Sequence, residues 1–137
     1  MGLDPQAKIL IVDDFELMRT MLKRALGAIG FSNFAEAADI SVADQLMMEA
    51  TEAKRPFSIV FLDWNLPGGT GYDLLVKWRS NSKLDSVSVV MVTSESDREK
   101  VQAALKAGAN DYICKPISID KLKEKLEGLR SGSAQSA

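Results

Sequence analysis

The sequence predicts an α/β fold, a doubly wound parallel sheet with helices on both faces. Five short apolar runs alternate along the chain with amphipathic stretches, which is the order of a repeated strand–helix unit. The run Ile59–Leu62 is continuous rather than alternating, as expected of a strand that is buried on both faces. Polar side chains directly follow several of the runs, and ligands bind at that edge of the sheet in folds of this kind.

The first two strand–helix units are predicted between residues 8 and 54. The apolar run 8–12 is the first strand, and apolar residues at three- and four-residue intervals from Leu17 to Ile29 predict a helix that ends near Gly30. Residues 33–38 are a weaker strand candidate. A second helix is expected over about 41–54, because Pro56 cannot continue it.

The other three units follow in the same order. The predicted strands are 57–62, 88–93 and 111–115, and the helix between the first two covers about 71–80. A capping box at Ser96–Glu99 opens the next helix, which should end at Gly108. Ser118 can cap the last helix, whose apolar stripe runs to Leu129.

Size and composition fit one folded domain. The chain has 137 residues and a mass of 15.0 kDa, with 46% hydrophobic and 26% charged residues. We expect the domain to cover residues 8–130, with an N-terminal extension at 1–7 and a flexible polar tail at 131–137. No output domain fits after Leu129, so output is expected to pass through protein contacts.

Charge and residue types argue against several functions. A net charge of −2 argues against nucleic-acid binding, which needs a clustered basic surface. No segment approaches about 20 apolar residues, so we expect no membrane span and a cytoplasmic location. With one cysteine and no histidine, a Cys/His zinc site and Ser-His-Asp or Cys-His catalysis are excluded within one chain. Cys114 lies in an apolar strand and is expected to be a buried thiol.

Five polar side chains stand at the ends of the predicted strands. They are Asp13, Asp14, Asp63, Thr93 and Lys115. Each alone has an ordinary structural explanation, since an acid after a strand commonly caps a helix or belongs to a loop. Together they should converge on one edge of a parallel sheet, which predicts a functional site.

These residue types favour phosphoryl transfer. Carboxylates held close together raise one another's pKa unless a cation lies among them, and a set of oxygen ligands suits Mg²⁺. A lysine and a hydroxyl can contact phosphoryl oxygens, and a carboxylate can itself be the nucleophile. Asp63 is the best nucleophile candidate because it stands alone and precedes a glycine-rich loop, whereas the pair Asp13 and Asp14 suits the metal.

Four segments resemble the receiver domains of two-component response regulators. They are "VDD" at 12–14, "LDWNLPGGTG" at 62–71, "MVTSE" at 91–95 and "DYICKP" at 111–116. The resemblance covers about residues 8–129, and "DDFELMR" and "DWN" are most similar to the stand-alone chemotaxis regulators. It implies a (βα)5 flavodoxin-like fold with five parallel strands in the order 2-1-3-4-5.

The resemblance also implies roles for individual residues. Asp63 would accept a phosphoryl group from a histidine kinase, while Asp13, Asp14, Asp63 and the backbone carbonyl of Asn65 would hold Mg²⁺. Lys115 and Thr93 would contact the phosphoryl group. Tyr112 would change rotamer with Thr93 and alter the surface of helix four, strand five and helix five.

Further expectations follow from the same resemblance. Lys115–Pro116 would be a cis peptide, and Asn65 and Glu95 would tune phosphoryl lifetime. The partners would be the kinase, a target such as a flagellar motor switch protein, and a phosphatase, with the chain itself a monomer. Glu16 and Ser94 depart from the usual pattern and bear on partner choice and kinetics.

Other functions compete with this interpretation. They are a phosphorelay intermediate, a phosphorylation-independent adaptor and a small phosphohydrolase with an aspartate nucleophile. The hydrolase would want a second acid two residues after the nucleophile, where this chain has Asn65. A dinucleotide-binding domain is disfavoured because no Gly-x-Gly-x-x-Gly follows the first strand.

Overall fold

A five-stranded parallel sheet forms the centre of the molecule. The computed structural model describes residues 4–94 and 98–132. The strands are β1 (Lys8–Val12), β2 (Asn33–Ala37), β3 (Ile59–Asp63), β4 (Ser88–Thr93) and β5 (Asp111–Cys114). Their order across the sheet is β2-β1-β3-β4-β5, all parallel, which confirms the predicted fold and strand order.

Each strand is followed by a helix. The helices are α1 (Glu16–Ile29), α2 (Ile40–Glu52), α3 (Gly71–Arg79), α4 (Arg98–Ala107) and α5 (Ile119–Gly132). The predicted capping box at Ser96 begins outside the described residues. The last helix runs to Gly132, past the domain boundary expected at 130, while the remaining tail lies outside the described residues. None of the described helices has the length and apolar character needed to cross a bilayer.

The core lies in two layers, one on each face of the sheet. Alternate residues of a strand point to opposite faces, so Leu10 of β1 belongs to one layer and Ile11 to the other. The first layer packs beneath α2, α3 and α4 and includes the buried indole of Trp78, and the second packs beneath α1 and α5. With both faces covered, the polar ends of the central strands are left as the place where chemistry can occur.

A short hairpin follows β3 where a flexible loop was expected. Residues Asn65–Leu66 pair antiparallel with Gly69–Thr70. The turn between them has Pro67 at its first position and Gly68, with a φ of 89°, at its second, which is the residue pattern of a type II turn. Thr70 then caps α3 by accepting a hydrogen bond from the N–H of Asp73 at 3.1 Å. The segment after Asp63 is therefore held by a hairpin and a helix cap, and it is not an open loop.

Candidate functional site

Three carboxylates converge at the carboxyl edge of the sheet, as predicted. Asp13 and Asp14 follow β1, and Asp63 ends β3. Asp13 and Asp63 are only 6% and 5% exposed, whereas Asp14 is exposed. One oxygen from each of the three groups lies within 4.8 Å of the others. The cluster is close enough for a single cation to contact all three acids.

Lys115 joins this cluster from the neighbouring end of β5. Its Nζ lies 3.1 Å from Oδ2 of Asp13 and 3.5 Å from Oδ2 of Asp63. Burial alone would lower the pKa of Lys115, but the hydrogen bond and charge of Asp13 and the charge of Asp63 outweigh it and raise the pKa. The Lys115–Pro116 peptide is cis, as the resemblance implied. The site therefore contains a permanent ammonium.

The carboxyl of Asp63 is harder to ionise than that of an ordinary aspartate. Burial and the nearby charge of Asp13 raise its pKa to about 6, although Lys115 and the backbone N–H of Asn65 act in the opposite direction. That N–H donates to Oδ1 of Asp63 at 3.4 Å. A divalent cation would relieve the excess negative charge, and the available oxygen ligands fit Mg²⁺.

Gly71 fixes the backbone that carries Asp63. A Cβ at position 71 would overlap the carbonyl oxygen of Asp63, so only glycine fits against it. The N–H of Gly71 donates to the carbonyl of Trp64 at 2.7 Å, and the N–H of Trp64 donates to Val92 on β4 at 3.0 Å. The sequence placed Gly71 only in a glycine-rich loop after Asp63. In the structure, close packing against the backbone of Asp63 requires glycine at this position.

Thr93 and Tyr112 lie on adjacent strands and share one face of the sheet. The register pairs Thr93 with Cys114 and Met91 with Tyr112. Thr93 is buried at the end of β4, and its carbonyl accepts the N–H of Lys115 at 2.7 Å. The Tyr112 ring is half-buried against the core layer of α2, α3 and α4. Both side chains therefore lie on the face of the sheet that α2, α3 and α4 cover.

Tyr112 is also covered from α5. The ammonium of Lys125 lies 4.4 Å from the centre of the Tyr112 ring and 3.1 Å from Oδ1 of Asp111. Neither contact was predicted, because a charged run such as 121–125 most often forms a solvated helix face.

The remaining sequence candidates have mixed outcomes. Glu16 and Ser94 are exposed, and Glu95 lies outside the described residues. Cys114 is half-buried, so the expectation of a buried thiol was wrong; β5 is an edge strand, and its pairing on one side only leaves part of the side chain uncovered. Trp64 is half-buried and stacks on Tyr72 with a ring separation of 5.3 Å.

Comparison with known proteins identifies the family. The sequence model of one protein family, the response regulator receiver domain, matches residues 9–127 of this chain. The chain belongs to the response regulator receiver domain family. The matched range includes the acidic cluster and residues from all five strands.

Individual relatives of this receiver domain come from chemotaxis. It is 42% identical to the chemotaxis protein CheY of Pseudomonas aeruginosa over 120 residues, covering 88% of this chain and 93% of that protein. Among solved structures it resembles the chemotaxis response regulator CheY4 of Vibrio cholerae, with a TM-score of 0.78, 29% identity, and coverage of 89% and 97% of the two chains. The chain is thus a CheY-like receiver domain, a member of a family of signalling switches rather than of classical enzymes.

A third relative is known in a complex. It is the CheY of Borrelia burgdorferi, solved with CheX, BeF3 and Mg²⁺, with a TM-score of 0.77. The two proteins are 24% identical, and the alignment covers 90% of this chain and 88% of that one, so the likeness concerns the fold.

Proposed function

We propose that this receiver domain is an Mg²⁺-dependent phosphoacceptor switch in chemotaxis signalling, with Asp63 as the acceptor. The observation that carries the proposal is the position of the Asp63 carboxylate, which is buried at the sheet edge beside the carboxylate of Asp13 and the ammonium of Lys115. A surface carboxylate with only a capping role has no need of an ammonium and a second acid in contact with it.

The proposed reaction is the transfer of one phosphoryl group. A carboxylate oxygen of Asp63 forms a bond to phosphorus while the bond from phosphorus to a donor imidazole nitrogen breaks, and that nitrogen keeps the electron pair. The donor histidine belongs to a kinase, since this chain contains none. Lys115 contacts a phosphoryl oxygen as a point charge, and the hydroxyl of Thr93 donates to another.

Mg²⁺ is the cation that this set of ligands would hold. The carboxylates of Asp13, Asp14 and Asp63, whose nearest oxygens lie within 4.8 Å of one another, would hold it together with the backbone carbonyl of Asn65. When bound, the ion would neutralise negative charge on both the acceptor carboxylate and the phosphoryl oxygens. The Mg²⁺ in the Borrelia complex supports the choice of metal.

The output surface is formed by α4, β5 and α5. Thr93 and Tyr112 share one face of adjacent strands, so a change at Thr93 reaches the surface through the ring of Tyr112. The similarity to CheY proteins supports a flagellar motor switch protein as the target, and the Borrelia complex with CheX supports a second binding partner such as a phosphatase. The domain acts as a cytoplasmic monomer that changes between two surface states.

Acetyl phosphate provides a direct test of the acceptor. The protein is incubated with Mg²⁺ and acetyl phosphate, and mass spectrometry should detect one phosphoryl group per chain that survives mild acid and is lost in base. Asp63→Asn should abolish it, and chelation of the metal should prevent it. An adduct that survives Asp63→Asn would overturn the assignment of the acceptor, and no adduct in the parent protein would overturn the phosphoacceptor function.

A further inference from the structure

Arg19 connects three parts of the structure beside the acidic cluster. It lies in the second turn of α1 and is 14% exposed at its side chain. Its Nη1 donates to the backbone carbonyl of Asp13 at 2.7 Å, and its Nε donates to Oε1 of Glu36 on β2 at 3.0 Å. A single planar guanidinium therefore joins the helix, the loop that carries the acids and the neighbouring strand.

Glu36 holds this guanidinium in place. Its second oxygen accepts a hydrogen bond from Lys23 at 2.7 Å, one helical turn after Arg19. The hydrogen bond from Lys23 lowers the pKa of Glu36, and the Arg19 contact adds to it against the opposing effect of burial. Glu36 is thus a carboxylate with a separate cation on each oxygen.

The contact to Asp13 completes the fixation of the β1–α1 loop. The N–H of Asp13 donates to Ala37 of β2 at 3.1 Å, and its Oδ1 accepts the N–H of Phe15 at 2.9 Å. The Arg19 contact fixes the remaining polar group of the same residue, its carbonyl. The peptide that links Asp13 to Asp14 carries that carbonyl, so the direction of both acids depends on it.

We propose that Arg19 is a positioning residue for the Mg²⁺ ligands Asp13 and Asp14, with Glu36 as its anchor. The inference rests on the proposed metal site, and it assigns to Arg19 a contribution to metal affinity that it makes through the backbone of Asp13. Groups that orient metal ligands in this way typically affect affinity by about 10- to 100-fold.

The direction in which Mg²⁺ affinity changes when Arg19 is replaced separates a positioning role from charge repulsion. A cation close to a metal site repels Mg²⁺, so loss of its charge alone would strengthen binding. Loss of a positioning contact weakens binding instead. Lys23 provides a matched control, because its ammonium pairs with the same Glu36 and not with the backbone of Asp13.

The experiment measures the Mg²⁺ dissociation constant of the parent protein and three variants by calorimetry, with Trp64 emission as a second signal. We expect Arg19→Gln to weaken binding by about tenfold or more and Lys23→Gln to leave it within about twofold. Arg19→Lys keeps the charge but has a single nitrogen in place of the fork, so it should also weaken binding, by about threefold to tenfold.

Melting temperatures in EDTA show which variants are folded. If Arg19→Gln does not fold, the comparison rests on Arg19→Lys. Unchanged or tighter binding by the folded Arg19 variants would overturn the inference, as would equal weakening by Lys23→Gln. If the parent protein binds no Mg²⁺, the proposed function fails first and the inference fails with it, which distinguishes the two results.

Discussion

The Nζ of Lys115 lies closer to Asp13, at 3.1 Å, than to Asp63, at 3.5 Å. The residue proposed to contact the phosphoryl group is therefore also bound to a proposed metal ligand. Its ammonium occupies the same cluster of carboxylates that a divalent cation would neutralise, so the two cations compete for one set of charges. Lys115 therefore neutralises part of the carboxylate charge that Mg²⁺ would also neutralise.

Lys115→Met should strengthen Mg²⁺ binding and slow phosphorylation. Removal of a competing cation lowers the dissociation constant by several-fold, or about 1 kcal/mol, while loss of the phosphoryl contact slows the reaction with acetyl phosphate by about tenfold or more. Calorimetry and the rate of adduct formation measure the two effects. Lys123→Met, an exposed lysine on α5, is the control and should alter neither. A Lys115 variant with weaker metal binding would contradict the competition.

Mg²⁺ affinity should fall in acid because Asp63 has a raised pKa. The carboxyl has a pKa of about 6 in the metal-free protein, and the metal binds its deprotonated form. Below that pH, the dissociation constant should rise by about tenfold for each pH unit. Trp64 emission titrated with Mg²⁺ between about pH 5 and about pH 8 measures this. A dissociation constant that does not change across this range would show that Asp63 is ionised throughout.

Asp63→Asn should stabilise the metal-free protein at neutral pH. The folded-state pKa lies above the unfolded value of 3.8, so the stability associated with the protonated carboxyl is present below about pH 4 and is lost as the pH rises through about 6. The variant has no such loss and should exceed the parent by about 1–2 kcal/mol at about pH 8. Urea denaturation in EDTA measures the difference, which should disappear at about pH 4. A gap of equal size at both pH values would exclude titration of Asp63 as the cause.

Gly71→Ala should destabilise the fold and disturb the site. The added methyl group overlaps the carbonyl of Asp63 and forces the end of β3 to move, at a cost of about 2–4 kcal/mol. Gly27→Ala is the matched control, since position 27 is exposed in α1 and has open space around it. It should instead stabilise the protein by about 0.5–1 kcal/mol. Thermal melting compares the two, and a neutral Gly71→Ala would refute the packing role.

Arg79→Lys should destabilise the opposite edge of the sheet. Nε, Nη1 and Nη2 of Arg79 donate at 2.7–3.0 Å to the carbonyls of Gly108, Leu84 and Val87, respectively, and Nη2 also donates to the side chain of Asn110. A lysine cannot reach all of these acceptors, so we expect a loss of about 2–4 kcal/mol in urea denaturation. Lys77→Ala on the same helix removes an exposed ion pair with Asp44 and should cost less than about 1 kcal/mol. Comparable losses from the two variants would mean that charge, and not the fork, matters at Arg79.

The acidic cluster could be predicted from sequence because it depends on topology. Lys115 and Asp13 are 102 residues apart, yet both directly follow strands of one parallel sheet and so meet at its edge. Strand positions were also predictable, since β1 and β4 are continuous apolar runs. The ends of β3 were shifted by one or two residues, because Asp63 continues the strand pairing despite its charge.

The contacts of Arg19 and Arg79 could not be predicted in this way. Each guanidinium donates mainly to backbone carbonyls, and any residue type presents a carbonyl, so the partner leaves no mark in the sequence. The hairpin at 65–70 was missed for a related reason. Its strands have two residues each, too few to show the alternation that indicates a strand.

The two tryptophans differ in surroundings, and this gives the protein its own optical reference. Trp78 is 2% exposed, and its indole N–H donates to Asp44 at 2.9 Å, so its emission should be blue-shifted and resistant to dissolved quenchers. Trp64 directly follows Asp63, and the ammonium of Lys100 on α4 lies 5.6 Å from its ring centre. Iodide or acrylamide should therefore quench the emission of Trp64 and leave that of Trp78 unchanged. Events at the acceptor can then be followed in Trp64, with Trp78 as a constant internal standard.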